Sequence, residues 1–413
     1  MTQTKISIEQ IAQPAHLECD PGSPDHWVLN FGPQHPATHT TFHLILELDG
    51  ERIIKVDPQI GYLHSGFEKL AEHHTYDQYV TVIDRMNYIS PMANDIAWHG
   101  AVEKLMGIEI TPRCKYLRTI IAELARIQDH LLCIGEGGLD VGAMTFFVYA
   151  FNDREHINDL FEMLCGARFT TSWTRTGGAK ADIPEGWVDG ARKFCRKLPK
   201  TLAECHTLLT KNRIFIERAK NVSVLPHDEA VNYGWTGPLA RASGVERDLR
   251  KNEPYLAYAD LDFKIPISYE GDCYSRYLVR MEEMVQSLAI IEQALENIPS
   301  GSINVEQEQK VALPPKSEVY GGIEGLIHHF EQVMSNRGFS TPVKEVYAAQ
   351  ETANGELGYY IVADGTNKPF RVKTRGPSFV HMQALNRLLR GHTISEIVLV
   401  MPALNIIAAE LDR

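Results

Sequence analysis

Gly32-Pro33-Gln34-His35-Pro36-Ala37-Thr38-His39-Thr40 lies between two strand-like runs. Before it comes the short apolar run Trp27–Phe31; after it, Phe42, Leu44, Leu46 and Leu48 alternate with other residues. A period of two places those four on one face of a half-buried strand, so the stretch is a loop joining two strands. Pro33 and Pro36 fix φ and restrain their predecessors, which makes the loop stiff. A stiff loop carrying His35 and His39 can hold imidazoles toward a ligand, with the rest of the chain supplying walls and partners. His35, His39 and His43 also form an H-x3-H-x3-H pattern that on a helix would suit a metal. Pro36 and the strand pattern after it argue against that helix. His43 falls on the face opposite Phe42 and Leu44 and reads as a sheet-surface residue. On spacing alone, His39 suits a ligand-facing or a loop-bracing role.

The chain has 413 residues, with 44% apolar and 23% charged side chains, an ordinary globular composition with room for a large core. A net charge of −12 argues against nucleic acid as the main partner. No apolar run approaches the roughly 18 residues of a membrane span. The N-terminus, MTQTKISIEQ, lacks the layout of a signal peptide, so the chain is expected to stay in the compartment where it is made. Seven scattered cysteines with no C-x-x-C pair suggest reduced thiols, mostly small core residues, and no local zinc, nickel or iron–sulfur motif.

Residues 1–24 read as an extended arm, and 25–62 as a small sheet with Asp49-Gly50 as a hairpin turn. A largely helical region, 63–300, follows. Leu117, Ile120, Ile121, Leu124, Ile127 and Leu131 repeat at helical spacing, and Gly135, Gly137 and Gly138 are expected to stop that helix. Asp140 would then open the next one, with Ile157, Leu160, Phe161 and Leu164 on one face. An amphipathic helix is expected around Trp187–Leu209. Another runs from about Cys273 to Ile298, with Leu278, Met281, Met284, Val285, Leu288, Ile291 and Leu295 inward and Glu282 and Glu283 on a solvated face. Pro299–Lys316 is the best linker candidate. The mixed region 301–413 holds a helix face of Ile323, Leu326, Ile327, Phe330 and Met334. Strand-like runs there are punctuated by Asn354-Gly355 and Asp364-Gly365.

Ser90 is placed to cap a helix that begins at Pro91, and Tyr88 just ahead could present its phenol to a cavity or be buried and satisfied. Asp140, near a helix end, is either a cap or a carboxylate that orients an imidazole. Gly177-Gly178 has neither the Lys nor the spacing of a phosphate loop.

The run Gly32–His39, with Leu63–Leu70, Asp84–Met92, Glu123–Leu132, Leu139–Thr145 and Cys165–Arg168, resembles the D-subunit family of respiratory complex I, NADH:quinone oxidoreductase. Val279–Met284, Ile327–Phe330, Val362–Phe370 and Leu411-Asp412-Arg413 extend the likeness over 27–413, in the family's order. The family is related to nickel–iron hydrogenase large subunits. The resemblance implies an α+β, hydrogenase large-subunit-like fold: a small N-terminal β-sheet, a central helical bundle and a mixed C-terminal region. Hydrogenases hold their metals with two C-x-x-C pairs. Laid onto this chain, these fall at Asn87 and Ser90 and near Ile407 and Glu410, none of which supplies a thiolate. Hydrogen chemistry is therefore excluded, and the vacated cavity is free for quinone.

By the same resemblance, His39 and Tyr88 are the pair that hydrogen-bonds the quinone carbonyls, and Asp140 is the carboxylate paired with His39. His35, Met92 and Thr145 are further quinone contacts, and Arg85 and Thr170 lie near the iron–sulfur cluster of the adjoining subunit. No cofactor is expected on this chain alone; quinone is substrate and the cluster belongs to the neighbour. Implied partners are the small cluster-bearing B subunit, the C and I subunits, and the H subunit of the membrane arm, at the cytoplasmic face of a bacterial inner membrane. Rival readings are a related complex fed by ferredoxin or reduced deazaflavin, and a non-catalytic scaffold. The chain departs from the family at Ser65, where Arg is frequent, and at Thr40, where Gly is usual. Phe146 and Thr176 stand in place of prolines, Thr170 in place of a His, and Asn405 in place of a common Asp.

Overall fold

In a computed structural model, residues 17–19, 26–38, 41–306, 311–334 and 337–413 are described. Four antiparallel strands form the N-terminal sheet in the order β1 (Leu17–Cys19), β2 (His26–Phe31), β3 (His43–Asp49) and β4 (Arg52–Gln59). The alternation after the opening loop does what its period requires. Phe42, Leu44, Leu46 and Leu48 are all buried, while His43 lies on the other face with Nε2 3.1 Å from Asn30 Oδ1. The N-terminal arm differs from expectation at β1, where Leu17 to Cys19 pair with Leu29 to Trp27.

The long helices are α1 (Pro91–Met106), α2 (Pro112–Asp140), α3 (Met144–Cys165), α4 (Trp187–Cys205), α5 (Cys273–Glu296), α6 (Ile323–Val333) and α7 (Ile394–Leu404). Thr111 caps α2 by accepting from the Cys114 N–H (3.2 Å), with Pro112 at the first position. The apolar stripe from Leu117 to Leu131 is fully buried. That stripe forms one continuous core with the N-terminal sheet, α3, α4, α5 and α7.

The three glycines do not end α2, which continues to Asp140. They thin the helix where α3 turns back across it. A Cβ on Gly138 would sit 2.6 Å from Phe146 Cδ1, and one on Gly135 would meet Ala150 Cβ at 3.4 Å. Close approach, not termination, is what these glycines serve. Asp140 is accordingly the last residue of α2, and α3 begins only at Met144.

Two further expectations fail on α5. Val285 is exposed, and Glu283 is completely buried rather than solvated. Its carboxylate accepts from Arg241 Nη2 (2.6 Å) and lies 2.8 Å from His130 Nε2. A second buried stripe on α5 is polar: Arg276, Arg280, Glu283 and Ser287. An apolar-only search for the inward face cannot find it.

The 299–316 stretch packs in its described part. Ile303, Val305 and Val311 are buried, and the Val305 N–H donates to Gly177 O (2.9 Å). The tiny β5 (Thr174–Arg175) and β6 (Gly178–Ala179) form a separate pair. The C-terminal region has an antiparallel sheet, β7 (Lys344–Thr352), β8 (Gly355–Ala363) and β9 (Arg371–Arg375), against which α1 packs. The apolar run Ile397–Met401 belongs to α7. The α6 face forms as a helix but is not covered by the described residues: Ile323, Ile327 and Phe330 are exposed. Among the described residues, no helix is long and apolar enough to cross a membrane.

Candidate functional site

The opening loop leaves β2 through Gly32, whose φ of +109° and whose distance from β3 both exclude a side chain: a Cβ there would lie 2.5 Å from Phe42 O. His35 packs its ring on Phe31, centroids 4.0 Å apart, at the exposed end of the loop. A short 3-10 turn, Pro36–Thr38, then carries Thr38 inward, and Thr38 Oγ1 donates to His35 O (2.8 Å). Thr38 is almost fully buried. His39 and Thr40 lie outside the described residues.

Thr38 and Tyr88 line one small cavity of about 70 Å³. Its other walls are Ile89, Leu132, Cys133 and Glu136, and Met401 to Pro402 with Asn405 to Ile407. Tyr88 reaches it because α1 starts shortly after it, at Pro91 behind Ser90. Ser90 is not a side-chain cap, however. Its hydroxyl donates to Asp129 Oδ2 (2.9 Å), and Asn405 Nδ2 donates to Asp129 Oδ1 (2.7 Å). Asn405, with φ +52° at the end of α7, is a residue type that tolerates this conformation. The Asp129 carboxylate therefore ties the Tyr88 segment to the C-terminal segment.

The positions onto which the resemblance lays the hydrogenase cysteines, Asn87 and Ser90 and the neighbourhood of Ile407 and Glu410, lie close to this tie. Asn87 Oδ1 accepts from the Ile89 and Ser90 N–H groups (3.1 and 3.2 Å), fixing a tight turn. The Ile407 N–H donates to Ser378 Oγ (3.2 Å), and Glu410 Oε1 accepts from the Ser378 N–H (2.9 Å). Ile89, Leu132 and Ile407 make a small apolar cluster, joined by Tyr88 and Phe151. Among the described residues, no group of three or more His, Cys, Asp or Glu side chains is arranged to hold a metal ion.

Electrostatics mark the same place. Burial raises the Tyr88 phenol above its usual range, and the Glu136 and Asp129 charges add to this. Burial also pushes Glu410 up to about 7, with the Ser378 N–H opposing and the Asp129 charge reinforcing it. Arg154 of α3 sits over the Phe151 ring, 5.4 Å from its centroid, and is lowered by burial against the pull of Asp129.

Among the described residues, the other predicted site residues do not line the cavity. Asp140 is half-buried, one helical turn beyond Glu136. Met92 is fully buried in the main core, and Thr145 is exposed in the first turn of α3. Arg85 is exposed and donates to Thr81 O; Thr170 is half-buried with φ +48°. Among the polar residues that line the cavity, Glu136 is one that sequence reasoning missed. Its signal was present: Leu132, Cys133, Glu136 and Asp140 share a helical face once α2 is allowed to run through its glycines.

Comparison with known proteins decides the family. Residues 140–413 match the model of the respiratory-chain NADH dehydrogenase 49 Kd subunit. The chain belongs to that family. The D subunit of NADH-quinone oxidoreductase from Pelobacter propionicus is 43% identical, over 94% of this chain and 96% of that one. Its counterpart from Geotalea uraniireducens is 46% identical, over 93% and 98%. A Bdellovibrio bacteriovorus protein, named as a joined C/D subunit of NADH-quinone oxidoreductase, is 45% identical over 97% of this chain and 72% of its own length. In this member of the family the cavity is built where Thr38, the Tyr88 segment and the residues after α7 meet.

Proposed function

We propose that this chain is the quinone-binding catalytic subunit of an NADH:quinone oxidoreductase, an oxidoreductase component active only within the whole complex. The observation that carries the reading is the shared cavity: Thr38, next to His39, and Tyr88 line it together with Ile407. On this reading, His39 and Tyr88 donate to the two carbonyls of the headgroup. A phenol and an imidazolium are both donors, and a quinone offers only acceptors until it is reduced. Asp140 pairs with His39 and supports its charge. His35, Met92 and Thr145 play supporting parts around the headgroup. The cavity is smaller than a quinone ring needs, so the adjoining subunit supplies the rest of the enclosure.

Two electrons and two protons convert quinone to quinol, with the electrons reaching the headgroup from the adjoining subunit's iron–sulfur cluster, near Arg85 and Thr170. This chain's residues bind, orient and protonate. A hydrogenase large-subunit-like fold is supported by the convergence of Asn87 and Ser90 with Ile407 and Glu410, and the divisions at 25, 63 and 301 follow that likeness. Partners on this reading are the B, C, I and H subunits; the joined C/D name of the Bdellovibrio relative supports the second. The exposed apolar face of α6 suits a chain that works inside an assembly. The site is placed at the cytoplasmic face of the bacterial inner membrane, with proton translocation a property of the whole complex.

Tyr88→Phe tests the reading. In the assembled complex this variant is expected to lose most NADH:quinone turnover, about tenfold or more, while NADH still reduces the cluster. Full turnover would favour the scaffold alternative.

A further inference from the structure

We propose that Asp84 and Asp95 share one proton and, joined by it, position Tyr88 toward the quinone. This rests on the quinone reading above and deepens it, adding two positioning residues that touch no substrate. Tyr88 lies on the turn between the short helix Val80–Ile83 and α1. One end of that turn is the tie already described, Ser90 on Asp129. The other end is held to α1 twice. Asn94 Nδ2 donates to Ile83 O (3.2 Å), and the Asp84 and Asp95 carboxyls hydrogen-bond each other.

Both carboxyls are buried, Asp95 completely. Among the described residues, no third residue brings an N–H or O–H into hydrogen-bonding geometry with either Asp95 oxygen or with Asp84 Oδ1. Two ionised carboxylates in contact there would repel. With one proton between them, one donates to the other in a charge-assisted bond. Burial raises Asp95 well above the usual carboxylate range, and Asp84 raises it further, against the Arg175 charge and the Trp173 N–H. Burial raises Asp84 too, but its hydrogen bond to Asp95 and the Arg85 and Arg175 charges oppose this. The proton therefore stands on Asp95 and the charge on Asp84, beside Arg85.

The groups around the pair leave that assignment intact. Arg175 comes from β5 and Arg85 from the turn itself. The Tyr359 phenol of β8 and the Cys165 thiol at the end of α3 are both raised by burial, so they stay neutral. His99, one turn along α1 from Asp95, is lowered well below its usual range by burial and the Arg118 and Arg175 charges, so it is neutral as well. An amide donates to a carboxylate much as a carboxyl does, so one Asn in the pair keeps both the donor and the charge.

The test measures the KM for a short-chain benzoquinone with NADH as donor, on the assembled complex at about pH 7, beside reduction of the cluster by NADH. Asp84→Asn and Asp95→Asn, made singly, are each expected to stay within about twofold of the wild-type KM. The double variant lacks the charge and Asp95→Leu lacks the donor. Each is expected to raise the KM about tenfold or more while NADH still reduces the cluster. Single variants as impaired as the double would mean that both carboxyls are ionised, and a double variant or an Asp95→Leu near wild type would mean that the pairing is idle. Any of these overturns the proposal. In a Tyr88→Phe background the double variant is expected to change the residual KM by less than about twofold. A full tenfold effect there would show the pair acting on the fold rather than through Tyr88, and overturns it too. Full turnover in Tyr88→Phe alone sinks the parent reading instead, so the two failures are distinguishable.

Discussion

Glu410 shows how far a single buried carboxyl can shape this protein's behaviour. Burial lifts it to about 7, so the folded chain holds its proton over a range where the unfolded chain has released it. The sign follows: this contribution to stability is complete below the unfolded value of about 4.3 and is lost as pH rises through about 7. Between those limits the loss from this one group is about 4 kcal/mol. Glu410→Gln is expected to remove that component, so thermal melts of variant and wild type should converge at about pH 4 and separate, variant higher, at about pH 8. Identical differences at both values would contradict it. At this scale the sequence is half legible. Tyr88 could be picked out because Ser90 and Pro91 announce a helix start behind it. Glu283 could not, because adjacent Glu282 and Glu283 on a helix read as solvated until Arg241 and His130 are seen to face the second. Thr170 belongs here too. On the proposed reading, which puts the adjoining subunit's cluster near Thr170, its lack of an ionisable group predicts a weaker pH dependence of that cluster's potential, to be read by redox titration of the complex at two pH values. A slope equal to that of a His-containing relative would contradict it.

The informative element is α2, the helix that carries Asp129, Glu136 and Asp140. Its apolar stripe made its existence and its buried face readable, while its end was misplaced because glycine is ambiguous between stopping a helix and thinning it. Packing resolves the ambiguity. Gly138→Ala drives a methyl into the Phe146 ring, and overpacking of this kind costs about 1–3 kcal/mol, more than the gain in helix propensity. Gly137 meets only Pro402, at the ordinary contact distance of 3.7 Å, so Gly137→Ala is expected to be neutral or stabilising by up to about 1 kcal/mol. Melting temperatures of the two variants should therefore move in opposite senses or differ clearly, and equal destabilisation would show that α2 ends where the glycines begin. The opening loop was the better read of the two elements, since proline and period-two alternation have fewer alternative meanings.

Across the molecule, long-range charge pairing holds the central helices to the C-terminal sheet. Arg241 donates to Glu283 Oε1 (2.6 Å) and to Glu351 Oε1 (2.8 Å), joining α5 to β7. Arg250 Nη1 lies 3.2 Å from both Glu123 oxygens, while Arg126 Nη1 donates to Thr352 O (2.8 Å). Burial alone would raise the Glu283 carboxyl, but Arg241 and His130 hold it well below the usual range. Removing one partner leaves an uncompensated buried charge, so Arg241→Met is expected to cost about 3–5 kcal/mol and lower the melting temperature of the complex. A change within error would show that the network is not what joins the two regions. None of this pairing is visible in one sequence, because the partners that join the two regions lie far apart along the chain.

The claim on which the functional account rests is that quinone sits where Thr38, Tyr88 and the residues following α7 meet. Photolabelling the assembled complex with a quinone bearing a reactive headgroup, then mapping the modified peptides, tests it most directly. The account predicts labels within 36–38, 84–92 or 401–407, suppressed by excess unlabelled quinone. Suppressible labelling confined to the cleft between α1 and β7, or to α6, would contradict it.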